Sequence, residues 1–89
     1  ILVDCLTLWL SNHLLKKNDL EKKIDELSHV LRNSQSNIVL VSNEVGTGIV
    51  PDNALAREFR DSAGLMNQKI AAVSDQVYWV LAGIPTRIK

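Results

Sequence analysis

Ile38-Val39-Leu40-Val41-Ser42-Asn43-Glu44-Val45-Gly46-Thr47-Gly48-Ile49-Val50-Pro51 leaves an apolar strand through an amide and a carboxylate, passes two glycines and enters a helix. Ile38 to Val41 reads as a buried strand of the kind found in parallel sheets covered by helices. Open α/β sheets carry their ligand-handling groups just past the carboxyl ends of such strands, and Asn43 and Glu44 fall there. Gly46 and Gly48 let the backbone turn sharply or approach a ligand closely. A plain strand-to-helix connection needs turn chemistry but has no need of Asn and Glu side by side before two glycines. The segment therefore reads as a site.

Upstream, Ile1-Leu2-Val3-Asp4 is a short apolar run ending in a carboxylate. Two readings of Asp4 stand. A strand-end carboxylate suits magnesium or nucleotide chemistry, because hard cations take carboxylate oxygen while keeping several waters. The same residue can instead cap the following helix. Leu6, Trp9, Leu10, His13 and Leu14 then recur at helical spacing, and this helix should end near Lys16 to Asn18. Asn18 with Glu21 resembles a capping box for a second helix, in which Leu20, Ile24, Leu27 and Leu31 form one apolar stripe. Ser34 to Asn37 is a polar turn into the strand at Ile38.

Downstream, Pro51-Asp52-Asn53 supplies a helix start, and Leu55, Phe59, Ala63, Met66, Ile70 and Val73 continue at steps of four and three. Arg57, Arg60, Asp61, Gly64, Asn67 and Gln68 lie on the other face. A glycine inside a helix costs about 1 kcal/mol relative to alanine. Close packing of another backbone or subunit against Gly64 would offset that cost, and a direct substrate contact is the alternative. Val77 to Ala82 makes a third strand, and Gly83-Ile84-Pro85 turns into a last strand, Thr86 to Lys89, whose proline suits a sheet edge. Strand, helix pair, strand, long helix, strand predicts a mainly parallel sheet with right-handed crossovers. Parallel strands bring Asp4 and Glu44 to one edge.

The 89 residues carry zero formal net charge, 46% hydrophobic and 4% aromatic residues. That balance offers neither an electrostatic footprint nor a stacking platform for nucleic acid. The lysines at 16, 17, 22 and 23 alternate with Asp19 and Glu21, as on a solvated helix junction. A single cysteine, Cys5, excludes an internal disulfide and reads as a packed thiol. With no signal-peptide pattern and no apolar run of membrane-spanning length, a cytoplasmic setting is the default. His13 and His29 read as core-edge and solvated histidines.

Asp4-Cys5-Leu6-Thr7-Leu8-Trp9-Leu10-Ser11-Asn12 and Ser42-Asn43-Glu44-Val45-Gly46-x-Gly48-Ile49-Val50-Pro51 together resemble the cobalamin-pathway adenosylcobinamide kinase/adenosylcobinamide-phosphate guanylyltransferase family. A third block is similar to the family in order and spacing: Leu55-Ala56-Arg57-x-Phe59-Arg60-Asp61-x-Ala63-Gly64-x-x-Asn67-Gln68, then Ala82-Gly83-Ile84-Pro85 and Ile88-Lys89. Residues 16 to 36 carry no family signature. No G-x-x-x-x-G-K-[ST] phosphate loop occurs in the chain. The resemblance is therefore to the carboxyl-terminal half, and residues 1–89 read as a single partial domain of a P-loop NTPase-like α/β fold.

The resemblance implies a fold of a mainly parallel sheet flanked by helices and a bifunctional enzyme of vitamin B12 biosynthesis. Such an enzyme phosphorylates the aminopropanol hydroxyl of adenosylcobinamide, then transfers GMP from GTP to that phosphate and releases pyrophosphate. It implies GTP or ATP as nucleoside triphosphate substrate with Mg2+, adenosylcobinamide and its phosphate as further substrates, and a homotrimer. It places Asp4 where family members use an acidic residue to bind GTP, beside the metal-ligand reading that its strand-end carboxylate already carries. The family's covalently guanylylated histidine belongs to the other half, so neither His13 nor His29 matches it, and no catalytic residue is expected in this chain. Asn43, Glu44 and Gly46 are cleft residues on this reading. Arg57 and Arg60 can clamp phosphate or pair with Glu58 or Asp61. An alternative is a non-catalytic fragment that self-associates through an exposed sheet edge without turnover. A third reading is another nucleotide-binding α/β protein.

Overall fold

The computed structural model describes residues 1–45 and 52–89. Seven elements follow in order: β1 (Leu2–Asp4), α1 (Leu6–Leu15), α2 (Leu20–Asn33), β2 (Val39–Val41), α3 (Ala54–Val73), β3 (Tyr78–Leu81) and β4 (Ile84–Arg87). The predicted Gly46, Gly48 and Pro51 lie outside the described residues. Among the described residues no helix is long and apolar enough to cross a membrane.

β1 and β2 pair in parallel with Leu2 beside Val39, Val3 beside Leu40 and Asp4 beside Val41. The chain start extends this pairing, since the Ile1 amine donates to the Asn37 carbonyl at 2.8 Å and Val39 N–H donates to the Ile1 carbonyl at 2.8 Å. Alternation across the strands turns Val3 and Leu40 toward the helices, where both pack on the core. The expectation of a fully buried second strand is corrected here. Val39 is 62% exposed and Val41 40%, because helices cover only one face of this pair among the described residues.

The core is a helix-built cluster of Leu6, Leu10, Ile24, Ala63, Met66 and Ile70. These are the positions at which the apolar stripes of α1, α2 and α3 meet. Partly buried Trp9, Leu20, Leu27, Leu31 and Phe59 close around them, as the helical spacing predicts. Leu55, also on the predicted stripe of α3, is exposed near the helix start. Lys69 ties α3 to α2 through Asp25 at 2.7 Å and Glu21 at 3.9 Å.

Helix ends explain two local outcomes. α1 closes with the Lys17 N–H on the Leu14 carbonyl and the Asn18 N–H on the His13 carbonyl, and Lys17 takes a φ of 57°. This is the Schellman arrangement with a lysine at the left-handed position. Asn18 is thereby committed to α1, and its amide also meets His13 Nδ1 at 2.7 Å. The cap of α2 accordingly passes to Asp19, whose carboxylate accepts from Lys22 N–H at 3.2 Å, in place of the expected Asn18. Asn53 caps α3 as expected, accepting from Leu55 and Ala56 N–H at 2.8 and 3.2 Å.

β3 does not extend the parallel pair. It forms a separate antiparallel ribbon with β4, in register from Tyr78 beside Arg87 to Leu81 beside Ile84. Its pairing with β4 is set locally: Ala82 and Gly83 have φ of 52° and 74°, and two successive left-handed residues reverse the chain in one tight turn. Ile88 N–H donates to the Val77 carbonyl at 2.9 Å, so antiparallel alternation leaves Val80 and Pro85 as a non-hydrogen-bonded pair. The proline's missing N–H costs this ladder nothing. The ribbon is held to α3 by Lys89, whose Nζ donates to the Ala71 and Ala72 carbonyls at 2.8 and 3.2 Å. A cation at a helix carboxyl end meets the negative end of the helix dipole.

Candidate functional site

Asp4 is the last residue of β1 and lies in register with Val41, the last residue of β2. Both strands therefore run out at one edge, where Ser42, Asn43, Glu44 and Val45 follow β2. Asp4, Asn43 and Glu44 are exposed there. The helix-capping alternative for Asp4 does not apply. The cap position of α1 is Cys5, in extended backbone and without a side-chain capping bond.

A polar network fastens this edge. Thr7, in the first turn of α1, is 6% exposed, and its Oγ1 accepts from Asn43 Nδ2 at 3.1 Å. The same hydroxyl lies 3.1 Å from Cys5 Sγ. From the other side, Ser42 Oγ donates to Asn67 Oδ1 at 2.7 Å, and Asn67 Nδ2 donates to the Asn43 carbonyl at 3.2 Å. Two core helices thus grip consecutive residues of one loop, and Glu44 is the next residue.

Asn43 therefore has its amide nitrogen engaged within the chain, facing Thr7. The bond ties this loop to the first turn of α1. The Cys5 thiol is held below its ordinary pKa, first by the Thr7 hydroxyl and then by the Leu8 N–H, against partial burial and the Asp4 charge. Cys5 itself is half-buried and lies outside the core cluster. Among the described residues no three His, Cys, Asp or Glu side chains converge to hold a metal ion. Asp4 and Glu44 are the two carboxylates of this edge, and carboxylate oxygen is what a hard cation takes.

The remaining candidates sit elsewhere. Arg57 Nη1 donates to the Asp52 carbonyl at 2.6 Å, beside the start of α3. Arg60 lines a shallow groove along α3 with Asp61, Gly64, Leu65 and Gln68. No described residue lies within 4 Å of a Cβ placed on Gly64, so the close backbone packing expected there is not made among the described residues. His13 is half-buried and stacks edge-on against Trp9 at 4.7 Å, while His29 is exposed on α2.

Thr7, Ser42 and Asn67 were not singled out by spacing alone. Their partners lie 24 to 36 residues away, and side-chain periodicity carries no information at that separation. The available signal was the placement of Asn67 on the polar face of α3 opposite its apolar stripe.

Comparison with known proteins covers the whole chain. The family described as cobinamide kinase / cobinamide phosphate guanyltransferase matches residues 1–88. The bifunctional adenosylcobalamin biosynthesis protein CobU of Salmonella typhimurium is 41% identical over 104 residues, covering 100% of this chain and 58% of that protein. CobP of Pseudomonas aeruginosa, of the same description, is 42% identical over 91 residues, covering 100% of this chain and 53% of that protein. CobU of Escherichia coli is 35% identical over 104 residues. The chain spans little more than half the length of these relatives. With the matched residues running from β1 through β4, the chain belongs to the cobinamide kinase / cobinamide phosphate guanyltransferase family.

Proposed function

We propose that this chain supplies one wall of a nucleotide site in a bifunctional enzyme of cobalamin biosynthesis. The enzyme phosphorylates adenosylcobinamide and then joins GMP from GTP to the resulting phosphate. In the second reaction, on the family's scheme, a histidine of the other half takes the α-phosphorus of GTP as the bond to pyrophosphate breaks, and a phosphate oxygen of adenosylcobinamide phosphate then takes that phosphorus as its bond to the histidine breaks. The observation that carries the reading is the shared edge of Asp4 and the Ser42 to Val45 segment, in a chain whose relatives are named for adenosylcobalamin biosynthesis. Strand-end groups on one edge of a parallel pair are how α/β folds address a nucleotide.

In this reading Asp4 contacts GTP or its metal, Glu44 lines the cleft, and Asn43 orders the loop before Gly46. A bound Mg2+ would take oxygen from Asp4 or Glu44 and from the triphosphate, and would neutralise charge on the phosphates. A P-loop-type phosphate cradle, a cytoplasmic setting and a homotrimer complete the proposal, on family grounds. A second reading, self-association without turnover, draws support from the exposed apolar residues Leu2, Val39 and Val41 and from the exposed β3–β4 ribbon.

The test is GTP-dependent guanylylation of adenosylcobinamide phosphate by the full-length polypeptide and its Asp4→Ala variant. The variant should raise the KM for GTP while leaving thermal stability near that of the parent, since Asp4 is exposed. Equal nucleotide affinity in both would remove Asp4 from the site. An inactive full-length parent would favour the second reading.

A further inference from the structure

The loop after β2 is gripped through one side chain that satisfies two consecutive residues. Asn67 Nδ2 faces the Asn43 carbonyl, which can only accept, so the amide orientation is set and Oδ1 must face the Ser42 hydroxyl, which donates. Only a primary amide offers this donor and acceptor together on a planar group of that size. Its neighbour in sequence, Met66, is completely buried in the core, so the amide stands on a rigid part of α3. Asn43 is caught a second time by the buried Thr7 hydroxyl on α1.

We infer that Asn67 is a positioning residue: by clamping Ser42 and the Asn43 carbonyl to α3, it sets the path on which Glu44 leaves the strand edge toward the nucleotide. The inference deepens the proposed function and rests on it for the identity of the ligand. Glu44 follows directly on the clamped residues, so a rotation about the backbone at Asn43 moves its carboxylate by more than an ångström. Misplacement of that size costs up to about a hundredfold in rate when a group must meet a reacting centre. Asn67 itself touches no substrate in this account.

The experiment compares the full-length parent with Asn67→Asp and Ser42→Ala. Asn67→Asp keeps an acceptor for the Ser42 hydroxyl and removes the donor to the Asn43 carbonyl. Ser42→Ala removes only the other arm. Amide hydrogen exchange over residues 42–45, measured without substrate, should accelerate at least tenfold in Asn67→Asp and less in Ser42→Ala, with exchange in α1 and α2 unchanged. In guanylyl transfer, kcat for Asn67→Asp should fall by roughly tenfold to a hundredfold with a smaller change in the KM for GTP. Unchanged exchange over residues 42–45, or an unchanged kcat, overturns the inference. So does a loss of activity that only tracks a loss of folded protein. A full-length parent without guanylyltransferase activity would overturn the proposed function, while faster local exchange in Asn67→Asp would still uphold the clamp.

Discussion

The buried Thr7 hydroxyl accepts a 3.1 Å hydrogen bond from Asn43 Nδ2 across 36 residues of sequence, joining the first turn of α1 to the loop that leaves β2. This bond lies between the core and the candidate site. It converts the packing of α1 into the shape of the strand edge that carries Asp4 and Glu44.

Thr7→Val keeps the side-chain shape and removes this acceptor. Losing the hydrogen bond that the buried Thr7 hydroxyl accepts should destabilise the fold by about 1 kcal/mol, read from urea denaturation. The same substitution removes the largest influence that lowers the Cys5 thiol pKa. Because Cys5 is the single cysteine, its alkylation rate reports this directly, and the pH profile should move upward in Thr7→Val but stay in place in Thr7→Ser.

Gly64→Ala should stabilise the chain by about 0.5–1 kcal/mol, since the helix gains alanine's propensity and the added methyl meets nothing within the described chain. Light scattering decides what the groove is for. If a second copy packs into the groove, the substitution lowers the associated mass while the melting temperature rises. An unchanged mass removes Gly64 from any subunit contact.

Lys69 has its pKa raised above the ordinary 10.5, first by its hydrogen bond to Asp25 and further by the charges of Asp25 and Glu21, against partial burial. The folded value lies above the unfolded one, so the stabilisation is fully present below the unfolded pKa and is lost as pH rises through the folded pKa. Unfolding free energy should therefore decline in the window above about pH 10.5, and Lys69→Met should remove that part of the slope. Both carboxylates are exposed and Lys69 is half-buried, so the effect should shrink in high salt.

Ala82→Asn should tighten the β3–β4 ribbon. Ala82 holds a φ of 52° before Gly83, a conformation that costs an alanine about 1 kcal/mol and that asparagine tolerates. Slower amide exchange at Trp79 and Ile88 in the variant is the expected result. Equal exchange would mean that the ribbon's stability is set by the Lys89 tether to α3.

The helices were legible because their cores are periodic. Ile24 on α2 and Ala63, Met66 and Ile70 on α3 fall on the stripes that spacing alone defines, and Asn53 announces its helix by its own chemistry. Asp4 and the Ser42-Asn43-Glu44 run were legible as strand-end residues for a similar local reason. The cap of α2 was misplaced by one residue because Asn18 is taken by His13, a contact that depends on how α1 ends. An apolar strand looks the same in sequence whichever partner it finds, so element order alone assigns β3 to the parallel sheet. Its partner was decided at Ala82 and Gly83, where two left-handed residues bring β4 back at once.

Sequence by itself determined the three helices, the first two strands, the family and the edge on which Asp4, Asn43 and Glu44 fall, because each rests on local spacing or on runs of matching residues, whereas the last strand begins at Ile84 and not at the expected Thr86. Only the tertiary structure decided that Thr7 and Asn67 hold the loop, that the Asn43 amide meets Thr7 and that no described residue packs on Gly64. Those outcomes depend on which helix faces meet in the core. A hydrogen bond between residues 24 to 36 positions apart exists only once that packing has brought its donor and acceptor together.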